Sequence, residues 1–407
     1  MRWVWIVPLW IWGQGGVPIG QWGVYAYHGN IRSVTYVAPY FWFLSTEGVA
    51  ILNEETGAYL EMSRANGLVH NRPTALYGDP YARWVFLGYS DGRVQYGPTP
   101  DHLVSINDIA ANPFYTARGI RDFHTKGDTL AIATDFGIVI WQKSRRRVLA
   151  TISQLPTLGF ADPILRVRWS VGRLWALTYK GIFSLREGMP WNTGWEKHSG
   201  EGYSLPDTLH LHFRGWAEKA GKFIVGFRDT LYRWEGDRWE YEPLPSGLEG
   251  RRVQLIAGER GEFCVALRDT DVFFFSGQDN FHQQMWNPGP TALWSSPDAR
   301  ICIVASSWGG ASVRTPRFSA STETYQRLKA SGVTELLPTP HSLYFFHNGV
   351  TPVSSGWGYT ISRYSFEEKK AEKVDLIFSG RAFYTPAEAL WDGNSVWVGT
   401  QPGIVRI

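Results

Sequence analysis

The feature that most constrains this 407-residue chain is a repeated unit with a period near 44 residues. In each copy a short apolar run leads into a polar turn, a Gly and a second apolar run. The clearest copies are Phe41-Trp-Phe-Leu-Ser-Thr-Glu-Gly48, Val85-Phe-Leu-Gly-Tyr-Ser-Asp-Gly92, Leu130-Ala-Ile-Ala-Thr-Asp-Phe-Gly137, Leu174-Trp-Ala-Leu-Thr-Tyr-Lys-Gly181 and Val396-Trp-Val-Gly-Thr-Gln-Pro-Gly403. Weaker copies lie at 223–230, 263–270, 301–309 and 343–350. Aligned on the Gly or its equivalent, the copies fall at 48, 92, 137, 181, 230, 270, 309, 350 and 403, which is nine copies spaced by 39 to 53 residues. Each reads as strand, tight turn, strand, and Gly fits a turn position that needs positive φ.

A further strand precedes each copy, as at 31–37, 119–123, 164–169, 209–213 and 252–256, and a polar strand follows, as at 147–152 and 238–242. Four antiparallel strands per period predict an all-β chain forming a single β-propeller of four-stranded blades. The blade count is seven to nine, nine by repeat count. Composition agrees: 43 Gly, 23 Pro and 21 Trp describe many short strands joined by turns, and no helical period lasts three turns. Tandem sandwiches would not space the copies so regularly. The last copy stops after its third strand, and 21–27 has no partner of its own. The ring is therefore expected to be closed by this N-terminal strand pairing with 396–407, within a propeller spanning 17–407.

The first sixteen residues have another character. Met1-Arg2, an apolar run over 3–12 and Gly13-Gln14-Gly15-Gly16 make the layout of a signal peptide over 1–16. The run is half the roughly 20 residues a membrane helix needs. No Cys follows as a lipid acceptor, and no later segment reads as a transmembrane span. The mature chain is expected to be exported, to the periplasm, the outer-membrane surface or the extracellular space.

The copies resemble the two-component-regulator type of propeller repeat, with a core near Leu-Trp-Ile-Gly-Thr-x-x-Gly-Leu; 396–404 is nearly that motif. More specifically, Gly20-Gln21-Trp22, Tyr25, Tyr27, Thr46-Glu47-Gly48, Thr56-Gly57 and Asn66-Gly67-Leu68 resemble the opening of the PorZ-like propeller proteins of Bacteroidetes and relatives. The likeness is closest over 19–70 and only repeat-level beyond about 185. It implies a cell-surface component of type IX secretion that acts with anionic lipopolysaccharide. The two propellers and C-terminal sorting sandwich of that family have no counterpart in the single ring read here.

Against 40 Lys and Arg stand 37 Asp and Glu, a net +3 that makes no case for nucleic acid. No nucleophile elbow, zinc-protease helix, P-loop or dinucleotide fingerprint occurs, so the chain reads as a non-enzyme with no catalytic residues, no metal and no cofactor. Glu47, Asp91, Asp135, Asp229 and Asp269 recur at one turn position; turn chemistry explains them as well as a carboxylate crown would. Cys264 and Cys302 occupy equivalent positions in successive copies and read as buried thiols. Lys143-Ser-Arg-Arg-Arg147 reads as a solvated turn.

The sharpest polar constellation lies on the expected innermost strands. Arg166 and Arg168 share one side of their strand, and His210, His212 and Arg214 share one side of the next. Guanidinium forks suit phosphate or carboxylate, and imidazole gains charge as pH falls. Pairing with acids between blades is the competing reading. Trp191 and Trp195 sit in a turn-rich loop, as do Trp308 and Trp357, and aromatics of this kind serve binding surfaces. Together these residues define the expected ligand site. The leading expectation is an exported, non-enzymatic propeller that binds a surface polysaccharide, lipopolysaccharide or secretion-system protein. A propeller-type polysaccharide lyase or glycosidase and a detached extracytoplasmic sensor propeller are the alternatives.

Overall fold

The computed structural model describes residues 31–406 with short interruptions, most of them beyond residue 244. Two compact units emerge, Asn30–Ser321 and a second formed by Met1–Gly29 with Thr322–Ile407. The described strands of the first unit fall into seven four-stranded antiparallel meanders, called sheets 1 to 7 in chain order. Their first strands are Ile31–Val37, Ala75–Asp79, Ile120–Lys126, Ile164–Ser170, Phe213–Lys219, Val253–Glu259 and Pro290–Ser295. Three further strands follow each one in meander order, as predicted from the repeat. The first strand of sheet 1 touches those of sheets 2 and 7, and the Tyr36 ring lies 6.2 Å from Trp294. This is an all-β propeller.

Of the nine copies counted in the sequence, seven supply these sheets. The other two lie in the second unit, in a four-stranded sheet beginning at Val333–Pro338 and in a sheet of Glu388–Trp391, Val396–Thr400 and Gly403–Arg406. The proposed closing strand 21–27 and the signal segment 1–16 lie outside the described residues.

The seams between sheets explain the aromatic content. Trp175, Leu177 and Ile182 of sheet 4 form one buried cluster with Trp216, Phe223, Val225, Trp234 and Trp239 of sheet 5. Trp175 and Phe223 stack with centroids 4.5 Å apart. Each such side chain contributes about 1.5–3 kcal/mol by leaving water. One seam also carries charge: Lys143 Nζ of sheet 3 reaches Asp79 Oδ2 of sheet 2 at 2.7 Å, with both side chains almost fully buried. The reading of 143–147 as wholly solvated is therefore corrected; only Ser144 to Arg147 face water. The butylene stem of Lys143 carries its ammonium inward from the turn, which a charge count does not register.

Sheets 5 and 6 are joined. Their first strands pair in parallel, Gly215 with Ile256 and Trp216 with Ala257, so eight strands form one sheet. Gly215 permits it: its φ is +115°, and a Cβ there would lie 2.2 Å from the Ile256 carbonyl oxygen.

A second correction concerns 209–213. Asp207–His212 is a 3-10 helix, and the strand begins only at Phe213. Cys264 is a fully buried thiol outside any disulfide, as expected; the Cys302 side chain lies outside the described residues.

Candidate functional site

The first strands share a local irregularity. In sheets 1 and 3 to 7 a β-bulge near the strand start leaves the second residue out of the ladder. Ile31 pairs with Ser45 and Ser33 with Leu44, so Arg32 is skipped; Arg121, Leu165, Arg214, Gln254 and Thr291 are skipped in the same way. A bulge frees and re-aims the side chain it carries. Here that device recurs around one end of the strands.

A cavity of about 570 Å³ opens there. Its wall is the start of five first strands: Arg32 and Ser33, Ala75 and Leu76, Ile120 to Asp122, Leu165 and Arg166, and Phe213. Ser90, Gly119, Asp135 and His210 complete the rim. Arg121 Nε donates to Asp135 Oδ1 at 2.5 Å, and the other Asp135 oxygen accepts from Gly119 N at 2.9 Å. Arg166 Nη1 lies 3.7 Å from Asp122 Oδ1, while Asp122 Oδ2 accepts from Val167 N at 3.1 Å. Burial pushes the Asp122 carboxyl above the usual carboxylate range, with the Arg166 guanidinium pulling the other way. Arg32 donates only to the Ser45 and Pro73 carbonyls and has no carboxylate partner among the described residues. Among the described residues three guanidinium groups thus face two carboxylates. The excess charge suits an anion, and the Arg forks suit carboxylate or phosphate oxygens.

The structure separates the expected site residues. Arg166 and His210 line the mouth. The Tyr179 ring meets His210 edge-on at 5.1 Å, and His210 Nδ1 has no hydrogen-bond partner. Arg168 does not line it: it is buried, and its guanidinium donates to the carbonyls of Trp216 and Gly258 in sheets 5 and 6. His212 is exposed at the end of the 3-10 helix, 6.2 Å from the Phe227 ring. Arg214 donates from Nε to the Arg228 carbonyl at 2.9 Å. Trp195 is buried in the outer strand of sheet 4, donating to the Trp191 carbonyl at 2.7 Å; Trp191 itself is half-buried, edge-on to Trp169. Neither Trp lines the mouth. Trp308 lies outside the described residues, as does the side chain of Trp357. Arg32 and Arg121 are the mouth residues that the sequence reading missed. Their common place, one residue into a first strand that begins with Ile, was the available signal.

Two of the turn carboxylates, Asp91 and Asp135, are internally engaged. Asp91 accepts from Arg93 N at 3.1 Å and meets His70 Nε2 at 2.8 Å, while Asp135 holds Arg121. Glu47 and Asp269 lie outside the described residues. Among the described residues no group of three or more His, Cys, Asp or Glu is arranged to hold a metal ion, and no helix is long and apolar enough to cross a membrane.

The comparisons agree with this architecture. Among solved structures the chain is similar to PorZ, described as an essential bacterial surface component of the type IX secretion system of Porphyromonas gingivalis. The TM-score is 0.60 at 12% identity, over 93% of this chain and 50% of that one. The fold is a PorZ-like propeller. This chain spans about half the length of PorZ. U3-55K matches at TM-score 0.49 and 10% identity over 68% of this chain and 88% of that one. The extracellular domain of the one-component system BT4673 from B. thetaiotaomicron matches at 0.35 and 11% over 96% and 66%. Neither score carries an argument. No family model matches the sequence, and no curated protein matches it.

Proposed function

We propose that this chain is an exported, non-enzymatic propeller that holds an acidic surface glycan at its mouth and serves cell-surface assembly or type IX secretion. The observation that carries the reading is the cavity lined by Arg32, Arg121 and Arg166, three guanidinium groups against two carboxylates among the described residues. Likeness in fold to PorZ, a bacterial surface component, supports the extracytoplasmic setting. Arg32 and Arg166 are the two groups best placed to turn toward a ligand. One has no acid partner among the described residues, and the other is half-exposed with its acid 3.7 Å away.

The test is calorimetric binding of an acidic polysaccharide, polygalacturonate, and a neutral one, dextran. The wild type should bind the first and not the second, with affinity falling as salt rises. Arg32→Ala/Arg166→Ala removes two charge-assisted contacts of about 1.5–3 kcal/mol each, so affinity should fall about 100-fold or more. Equal binding by both proteins would move the function to a protein partner on another face.

A glycosidase is the second reading, and the raised carboxyl of Asp122, in a cavity that Asp135 also lines, favours it, since such enzymes pair a protonated acid with a second carboxylate. Release of reducing ends from either polysaccharide, abolished by Asp122→Asn, would establish it.

A further inference from the structure

Past the waist, the mid-strand level at which Arg168 is buried, sheet 3 ends in a strongly basic turn. Its third strand, Gly137–Gln142, starts beside the rim residue Asp135 and runs away from the mouth, so Lys143 to Arg146 turn at the opposite end. Two carboxylates fix this turn. Lys143 sends its ammonium inward to Asp79. Asp128 Oδ1 accepts from Ser144 N at 2.7 Å, and its Oδ2 accepts from Ser144 Oγ at 2.6 Å and Gln142 Nε2 at 3.0 Å. Arg146 follows with a φ of +50°, in the left-handed region. Arg145, Arg146 and Arg147 are left exposed, and none has a carboxylate partner among the described residues. Arg147 reaches only Gln142 Oε1, at 3.4 Å.

The chain passes directly from these cations into Arg147–Ile152, the outer strand of sheet 3. At six residues it is the longest outer strand of the seven sheets, twice the length of those of sheets 2 and 4. Among the described residues it pairs on one side only, so every second backbone N–H and C=O points outward. The register shifts between Ile140 and Trp141 and skips Leu149, a bulge that leaves Val148 37% and Leu149 43% exposed. Arginines and a bulge can guard a bare edge, but a guard gains nothing from two aliphatic side chains left in water along it. Free backbone groups, an apolar contact and a cluster of cations in line suit an extended peptide of opposite charge. We propose that this edge docks an acidic peptide strand. The peptide adds to sheet 3 as a fifth strand, packs apolar side chains on Val148 and Leu149, and sets carboxylates against Arg145, Arg146 and Arg147. This surface lies at the other end of the sheet from the cavity and stands independently of the glycan reading.

The experiment titrates the full chain with a synthetic peptide, Thr-Val-Thr-Val-Thr-Val-Asp-Glu-Asp with blocked ends, and follows amide hydrogen exchange. Binding should saturate at one peptide per chain, weaken with salt, and protect amides of 147–152. The same peptide ending in Asn-Gln-Asn should bind at least tenfold more weakly. Arg145→Gln/Arg146→Asn/Arg147→Gln, with Asn placed where the left-handed turn tolerates it, should also lower affinity about tenfold or more. Val148→Ser/Leu149→Ser should lower it about threefold. All five positions are exposed, so urea unfolding of both variants should stay close to that of the wild type. Arg32→Ala/Arg166→Ala should bind the peptide as the wild type does. No saturable binding, protection away from 147–152, or a loss confined to the Arg32→Ala/Arg166→Ala variant would overturn the edge site and leave the glycan reading standing. Capture of the wild type by phosphatidylglycerol vesicles, lost in the triple-arginine variant while the peptide stays unbound, would assign the cations to a lipid surface and overturn it equally.

Discussion

Arg166 and Arg168 lie two residues apart on one strand, and their surroundings oppose each other. The first stands at the mouth, half-exposed, near a carboxylate it does not fully engage. The second stands at the waist, buried, spent on two backbone carbonyls. The same contrast divides the ionisable side chains of the first unit more widely. Those in the waist and seams, such as Lys143, Asp79 and His198, are enclosed, and each has a polar partner. Those at the mouth keep donor capacity turned toward a cavity. Residue type therefore says little about role in this fold; depth along the first strand says much more. Fixed interior polar groups hold sheets together, and groups at the rim remain available for binding.

The contrast predicts effects of very different size. Lys143→Met should have the largest, because it leaves Asp79 charged and buried with only the Tyr81 and Ala82 amides as donors. Breaking such a pair costs about 3–5 kcal/mol. Urea unfolding reads this directly, and a loss below about 1 kcal/mol would mean that the pair is not enclosed. Asp79→Leu/Lys143→Met should recover most of the loss.

His198 comes next. It lies at the seam of sheets 4 and 5, 3% exposed, with Nε2 at 2.8 Å from Ser184 Oγ and its ring among Trp175 and Trp234. Burial, then the nearby Arg173 charge, lowers its pKa to about 4. An unfolded chain takes up this proton near pH 6.5, so the folded state is favoured above that pH and loses stability as pH falls toward 4. The loss is on the order of 3 kcal/mol over that window. Melting of His198→Gln should show a shallower fall between pH 7 and 5 than the wild type; parallel curves would remove His198 from the account.

How these roles divide was only partly legible in the sequence. The four-stranded sheets were, because turn Gly and apolar runs recur at a fixed interval, and the strand predicted at 164–169 ends one residue from the observed Ile164–Ser170. The stretch at 209–213 was misread for a physical reason. Leu209, Leu211 and Phe213 alternate with two His as a strand would, but the alternation is not one of burial: Leu209 is buried and Leu211 is 65% exposed. Pro206 and Asp207 open a helical turn instead. The mouth was hidden by the bulges. A skipped residue leaves no mark in a periodic pattern, so Arg32 and Arg121 read as ordinary strand positions, while Arg168 read as a partner of Arg166. Nothing in the spacing shows that depth separates them.

Arg168→Met should cost about 1–3 kcal/mol, the usual consequence of leaving buried acceptors without a donor. Its effect on polygalacturonate binding should be small, because the side chain does not line the cavity.

Arg166→Ala should do the reverse, and its stability effect is the smallest. The side chain is half in water and its ion pair is long, so the loss should stay within about 0.5 kcal/mol. One consequence runs the other way: without the guanidinium, Asp122 loses the charge that opposes its desolvation, so its carboxyl should become still harder to ionise. Binding should nevertheless fall by tenfold or more, the equivalent of one charge-assisted contact. The two variants measured together, by urea unfolding and by titration with hexagalacturonate, give a crossed pattern if depth sets role. Arg168→Met would lose stability and keep affinity; Arg166→Ala would keep stability and lose affinity. If both variants lost both properties, the mouth and waist would be one coupled network. If Arg166→Ala alone kept full affinity, Arg32 and Arg121 on sheets 1 and 3 would be left to carry the site.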